Sequence, residues 1–514
     1  MSTVPVFGKW RSLFWPIHMH EAKRVLPMAF MIFLICFNYA IVRNLKDSIV
    51  VTAKASGAEV IPFIKVWALL PMAIILTLVY ARLCNRYSQE RVFYLMITGF
   101  LVFFGLFAYV LYPLNDYIHP HQFADKIESS LPIGFKGFVA MCRNWSFTLF
   151  YVMSELWGTI GVNVLFWGFA NEVTKIGESR RFYSVFSVAA NIAAITSGQA
   201  ANLFTDNSSW EHTLHILVAV VIVVGCITMG IFRWLNTRVL TDRSCVGMHE
   251  PGDQLKKQKK KLSMRESFSF LSKSKYLLCI AVMVVSYNLS INLVEVVWKD
   301  QLRLQYSDPS IYNTYMNNLT TAFGIISTVT SLAMSFLIGR FGWTNIALIT
   351  PLSMMVTSAG FFTFIVLSDV LSGPLMVLGG ATPLAIAVFF GASQVCLSKA
   401  AKYSVFDTTK EMTFIPLDHE YRLKGKAAID GVGSRFGKSG GSLIHQGLLM
   451  FFGGLASSAP YVGVIMMAVG TGWIMAVRSL GKQFAKVVSD KEAIGETAEI
   501  PLKAVPEAKP AIAQ

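Results

Sequence analysis

Apolar residues are gathered in blocks of roughly 20, the length at which a helix crosses the hydrocarbon of a bilayer. The blocks fall near 26–47, 61–83, 92–113, 137–171, 183–204 and 212–235. A polar stretch follows. Further blocks then fall near 276–298, 317–339, 344–367, 376–402, 434–453 and 458–480. This pattern predicts an all-α multi-span membrane protein of about 12 transmembrane helices, six before the polar stretch and six after it. The fourth block is too long for one straight crossing. It contains Gly158 and Gly161, so it is expected to be tilted, kinked or joined to a surface helix.

Polar residues that interrupt these blocks repeat. Lys46 and Asp47 end the first block, and Lys299 and Asp300 end the seventh, 253 positions later (299 − 46). After the fourth block comes Asn171-Glu172-Val173-Thr174-Lys175; after the tenth comes Phe406-Asp407-Thr408-Thr409-Lys410. Basic residues follow in each case, Arg180 and Arg181 in one half, Arg422, Lys424 and Lys426 in the other. Two parallel six-helix halves with charge at matching depth imply a major-facilitator-like architecture, with a cavity between two bundles.

The resulting division is an interfacial N-terminus (1–25), an N-terminal bundle (26–235), a basic linker (236–275), a C-terminal bundle (276–480) and a disordered tail (481–514). The linker's lysines and arginines place it in the cytoplasm by the positive-inside rule. Six crossings on each side then put both termini there too.

Composition supports the membrane reading. The chain has 514 residues, 54% hydrophobic and only 15% charged, against about 25% charged in soluble domains. The net charge of +15 lies mostly in loops and tails, where topology needs it, so nucleic acid is not the implied partner. Seven scattered cysteines form neither a disulfide framework nor a CxxC pair, and no metal or cofactor is expected. The linker is too short for a catalytic domain, so the chain does not read as an enzyme.

A bilayer penalises buried charge by several kcal/mol unless it is paired or functional. Four places therefore stand out. In the first, Arg43 and Asp47 share a helix face and are expected to pair, while Lys46 and Asp47 diverge, leaving Lys46 to reach another helix or a ligand; the alternative is a lysine snorkelling to headgroups. The second is Glu155, deep in the fourth block, as a site carboxylate or a structural salt bridge. Third, Glu295 and Lys299 are four apart in the favourable order, facing a ligand or anchoring a helix end; Asp300 follows as a gate or salt-bridge candidate. The fourth is Arg435-Phe436-Gly437-Lys438-Ser439-Gly440-Gly441. Its spacing fails a Walker A loop, because Val432 stands where glycine is required and no strand precedes it. It offers either N–H groups beside cations for a phosphate or close packing by small residues.

Lys46, Lys299, Arg435 and Lys438 outnumber Glu155 and Glu295. Cation excess beside aromatic residues points to an anionic substrate with a flat ring. An empty site is then expected to leave Lys46 and Lys438 unpaired, disfavouring closure, so that exchange prevails over one-way flow.

The motifs RNLKDS (43–48), VTA (51–53), SGAEVIPFIK (56–65), ELWG (155–158), FWGFANE (166–172), EVVWKDQL (295–302) and KGKAAIDGVGSRFGKSGGS (424–442) together resemble the nucleotide (ATP/ADP) transporter family of obligate intracellular bacteria and plastids. The likeness runs from about residue 7 to 480. The start WPIHMHE, which is expected to carry no transit peptide, is similar to the chlamydia-like members. The resemblance implies twelve spans and exchange of ADP for host ATP without hydrolysis; a monomer in a bacterial inner membrane is expected. Its critical charged positions match Lys46, Glu155, Glu295 and Lys438. The family also includes proton-coupled importers of GTP, UTP or CTP and NAD/ADP exchangers. These share the same charges and stay open as alternatives.

Overall fold

The structure is a computed structural model describing residues 17–174, 176–205, 209–239, 274–417, 425–426, 428–429 and 433–494. Among the described residues the chain is nearly all helical. The long helices are α1 (Met19–Thr52), α2 (Val60–Arg86), α3 (Gln89–Leu111), α4 (Trp145–Val173), α5 (Ile176–Leu203) and α6 (Trp210–Val239). After the linker come α7 (Lys275–Gln305), α8 (309–339), α9 (Arg340–Val366), α10 (Pro383–Phe414), α11 (Ser434–Phe452) and α12 (Leu455–Ile494). Nine of them, among the described residues, are long and apolar enough to cross a membrane. The other three are α5, α8 and α11; α8 is the richest of the twelve in Gly, Ser, Thr and Asn, and all three lie where the two halves meet. A face turned to another helix rather than to lipid has no need to be apolar.

Local chemistry sets the boundaries and moves several expected ones. α1 starts at Met19, inside the expected interfacial segment, because the Glu21 carboxylate accepts the His18 N–H at 2.9 Å and caps the first turn. The long fourth block is broken at Asn144 into a short helix, Lys136–Arg143, and α4. α4 then widens into a π-helical stretch over Gly158–Phe166; with no Cβ at Gly158, the Tyr39 ring of α1 sits where a methyl would be 2.6 Å away. The tenth block starts late, at Pro383, behind the Thr382 hydroxyl that accepts the Ala385 N–H, and runs on to Phe414. α12 continues to Ile494, past the tail boundary expected at 481. Most of the basic linker lies outside the described residues, as do Arg422 and Lys424 after the tenth block. α8 turns into α9 at Gly342, whose φ of 73° suits glycine.

The face where α1 begins and α12 ends is termed proximal, the opposite one distal. Within each half an indole ties equivalent helices. Trp157 of α4 donates to Ile35 O of α1 at 3.1 Å, and Trp298 of α7 donates to Val388 O of α10 at 3.1 Å. At the proximal ends, Glu21 and Arg24 of α1 pair with Arg181 (2.7 Å) and Glu178 (2.5 Å) of α5.

The distal link between α3 and α4 buries His119, whose Nε2 hydrogen-bonds Ser146 Oγ at 2.7 Å, with the ring edge-on to Phe147. Burial pushes its pKa down to about 4 from 6.5. The folded state therefore holds His119 neutral, and the unfolded chain binds the proton first. Protection from hydrogen exchange across 119–147 is expected to be full above pH 6.5 and to fall as pH drops toward 4. Constant protection over that range contradicts the assignment.

Candidate functional site

Three fully buried charges occupy the distal third of α1 and α7. Asp47 accepts Lys46 Nζ at 2.8 Å through Oδ1 and Lys299 Nζ at 2.9 Å through Oδ2. The Lys46 ammonium also meets Glu155 Oε1 of α4 at 3.0 Å and lies over the Tyr151 ring, 3.7 Å from its centroid. Lys299 meets Glu295 Oε1 at 3.3 Å, one turn away on α7. Glu295 in turn faces Lys399 of α10 at 3.5 Å and Lys65 of α2 at 4.0 Å, and Lys65 donates to Asn292 Oδ1 at 2.7 Å. Charge thus alternates from Glu155 through Lys46, Asp47 and Lys299 to Glu295 and its two further lysines. Removing an ion from water costs several kcal/mol, and only such alternation offsets it. Four ammoniums against three carboxylates leave one positive charge in excess.

The sequence-predicted residues divide into those the fold gathers here and those it does not. Lys46, Glu155, Glu295 and Lys299 are brought together with Asp47. Lys46 and Asp47, expected to diverge, instead bond each other at 2.8 Å, because both side chains are buried and a charge there needs a partner. Arg43 does not pair with Asp47. Its guanidinium lies between the Tyr39 and Phe323 rings (5.6 and 5.5 Å) and reaches Thr320 Oγ1 at 3.5 Å. Asp300, one residue beyond Lys299, makes no ion pair with the cluster among the described residues and has Glu59, Arg303 and Lys136 as its charged neighbours, so the Lys-Asp repeat is used unequally. Lys46 is paired with Asp47 and Glu155, contrary to the expectation of an unpaired ammonium.

Arg435 and Lys438 are exposed and lie outside the cluster. Gly437 and Gly441 press α11 onto α7: a Cβ would stand 2.8 Å from Asn288 Cβ and 2.8 Å from Asn292 Cβ. Asn288 is seven residues before Glu295 on α7, which sets Lys438 roughly 10 Å proximal of the cluster. There it is within electrostatic reach of Lys402, Arg435, Asp407 and Glu155. The small residues of this motif therefore pack a helix, while its Arg435 and Lys438 side chains stay exposed.

Sequence reasoning passed over Lys65 and Lys399. Lys65 stands alone in an apolar run (IPFIKVWALL), the same signal that singled out Lys46. Lys399 stands three positions before 402, where the tenth block was expected to end; with α10 reaching Phe414 it is mid-helix.

Around the cluster the two halves meet through a polar seam. Asn44 of α1 donates to Asn317 Oδ1 of α8 at 2.8 Å, and Ser48 donates to Asn313 Oδ1 at 3.2 Å. Gln199 of α5 donates to Thr321 of α8 at 3.1 Å. Gln446 of α11 donates to Pro62 O of α2 at 2.9 Å. Among the described residues, the hydrogen bonds and ion pairs that join the halves run from mid-helix to the distal ends.

The profile described as TLC ATP/ADP transporter matches residues 2–484. The chain belongs to that family. It is 46% identical to "ADP,ATP carrier protein 1" of Chlamydia muridarum (strain MoPn / Nigg), covering 98% of this chain and 96% of that protein. It is 42% identical to "ADP,ATP carrier protein 1, chloroplastic" of Arabidopsis thaliana, covering 91% and 75%. A solved D-xylose-proton symporter superposes with a TM-score of 0.51 at 12% identity, covering 88% of this chain and 96% of that one. That likeness shows the fold, which is major-facilitator-like. For this member of the TLC ATP/ADP transporter family, the ion cluster at the seam of two helix bundles is the candidate binding site.

Proposed function

We propose that the protein exchanges ATP for ADP across a bacterial inner membrane, with the proximal face and both termini in the cytoplasm. One observation carries the reading: a cation-rich cluster, split between two bundles, in a chain 46% identical to an ADP,ATP carrier. A polyphosphate cannot enter a low-dielectric path bare; ammoniums from both halves neutralise it.

Alternating access supplies the mechanism. With the distal seam closed, nucleotide enters from the cytoplasmic side past Lys438 and Arg435. Its phosphates compete with Glu155 and Glu295 for the lysines. Once the lysines are held by phosphate, the carboxylates and Asp47 no longer bind the halves in their present register, and the bundles rock to open the distal side. Without nucleotide the same lysines return to the acids and hold the seam shut, so an empty carrier does not cross. Either nucleotide releases the lock, and exchange follows. Both sides of the site come from one chain, so a monomer suffices.

The test is counter-exchange. Cells expressing the chain and loaded with radiolabelled ADP are expected to release label when external ATP is added. Release no faster than in buffer, with uptake that collapses with the pH gradient, would assign the protein instead to proton-coupled import.

A further inference from the structure

We infer that Lys65 and Lys399 are phosphate-binding residues of this site, and that the Glu295 carboxylate holds in the empty carrier the place a phosphate takes. The inference rests on the nucleotide-exchange reading and says which ammoniums meet the ligand first.

Exposure separates the cluster into two layers. Lys46, Asp47 and Lys299 have side chains 2–3% exposed and are sealed. Lys65, Lys399 and Glu295 are 19%, 21% and 15% exposed. A ligand arriving in the gap between the halves reaches this second layer while the first is still closed.

Charge and distance point the same way. Glu295 is one negative charge shared by three ammoniums, one of which, Lys299, already has Asp47. The 3.5 Å of Lys399 and the 4.0 Å of Lys65 exceed the roughly 2.8 Å of a charge-assisted hydrogen bond. Each ammonium has three N–H donors. Lys65 uses one of its donors on Asn292. Two cations held loosely around one carboxylate match a phosphate, which offers more charge and three acceptor oxygens in the same space. Lys65 belongs to the N-terminal half and Lys399 to the C-terminal half, so a bridging phosphate links ligand capture to the relation between bundles.

The experiment is competition against radiolabelled ATP on the purified full-length protein, with inorganic tripolyphosphate and with adenosine as competitors. Lys65→Gln and Lys399→Gln are each expected to weaken ATP and tripolyphosphate binding roughly 10- to 100-fold, the worth of a hydrogen bond to a charged group. Adenosine competition should be unchanged, and Lys→Arg at either position should restore most of the loss. Glu295→Gln, which removes the placeholder and keeps every cation, is expected to tighten tripolyphosphate binding. Unchanged tripolyphosphate affinity in both Gln variants, weaker tripolyphosphate binding in Glu295→Gln, or loss of adenosine competition alone overturns the inference. A wild-type protein that does not bind ATP at all refutes the exchange reading instead.

Discussion

Asp47→Asn is expected to abolish nucleotide exchange while the protein still inserts into the membrane. Asp47 is 3% exposed and joins Lys46 (2.8 Å) to Lys299 (2.9 Å), so one carboxylate connects α1 of one half to α7 of the other. Taking one partner from a buried ion pair costs about 3–5 kcal/mol, because the remaining charge stays buried. Lys46 keeps Glu155 and Lys299 keeps Glu295, so each half retains its own pair and insertion survives. What is lost is the shorter of the two ion pairs between the halves among the described residues, the other being Lys65–Glu295 at 4.0 Å. About 3 kcal/mol is more than a hundredfold in an equilibrium, enough to move the carrier from distal-closed to distal-open. In a chain stripped of its native cysteines, Asn317→Cys should then react with a membrane-impermeant thiol reagent only when Asp47→Asn is also present. Exchange above a tenth of the wild-type rate would be incompatible with this role.

Gly198→Val is expected to reduce exchange to a few per cent through geometry alone. Gly198 of α5 lies against α8, where a Cβ would stand 2.5 Å from the Asn317 carbonyl oxygen and 2.3 Å from Thr321 Oγ1. A side chain can swing aside; a backbone carbonyl cannot move without its helix. The seam is tight from both sides, since a Cβ at Gly324 of α8 would meet Ile195 Cγ1 at 2.8 Å. Valine at 198 therefore holds α5 and α8 apart and prevents distal closure, while packing inside each half is untouched. Gly168 of α4, where an added Cβ meets nothing within 4 Å, provides the control: Gly168→Ala should transport normally. Normal exchange by Gly198→Val would refute the seam as a gate.

The two variants act on one interface by different physics, charge in the first and volume in the second. Both should leave the carrier open to the distal face.

The candidate site was only partly legible in sequence. Lys46, Glu155, Glu295 and Lys299 announced themselves because each interrupts an apolar block, where a charge without purpose is too costly to keep. Lys65 carries the same signal. Lys399 was obscured by the end of its block, which helical continuation through Phe414 displaced. Arg43 was assigned a partner from helix periodicity, which describes one helix in isolation. In the fold, the Phe323 ring of α8 takes the guanidinium's other side, and Asp47 turns to Lys299 instead.

Block length and composition by themselves determined that the chain crosses a bilayer in helices, because hydrocarbon accepts few other backbones. They also determined that its inner charges have partners or work to do. Which charges meet was settled only in three dimensions. An ion pair depends on what the opposite helix brings to within about 4 Å, and no spacing along one chain encodes the register of α1 on α7 or of α5 on α8. That register arises from small residues that let the backbones approach and from asparagines that must find each other in a place without water.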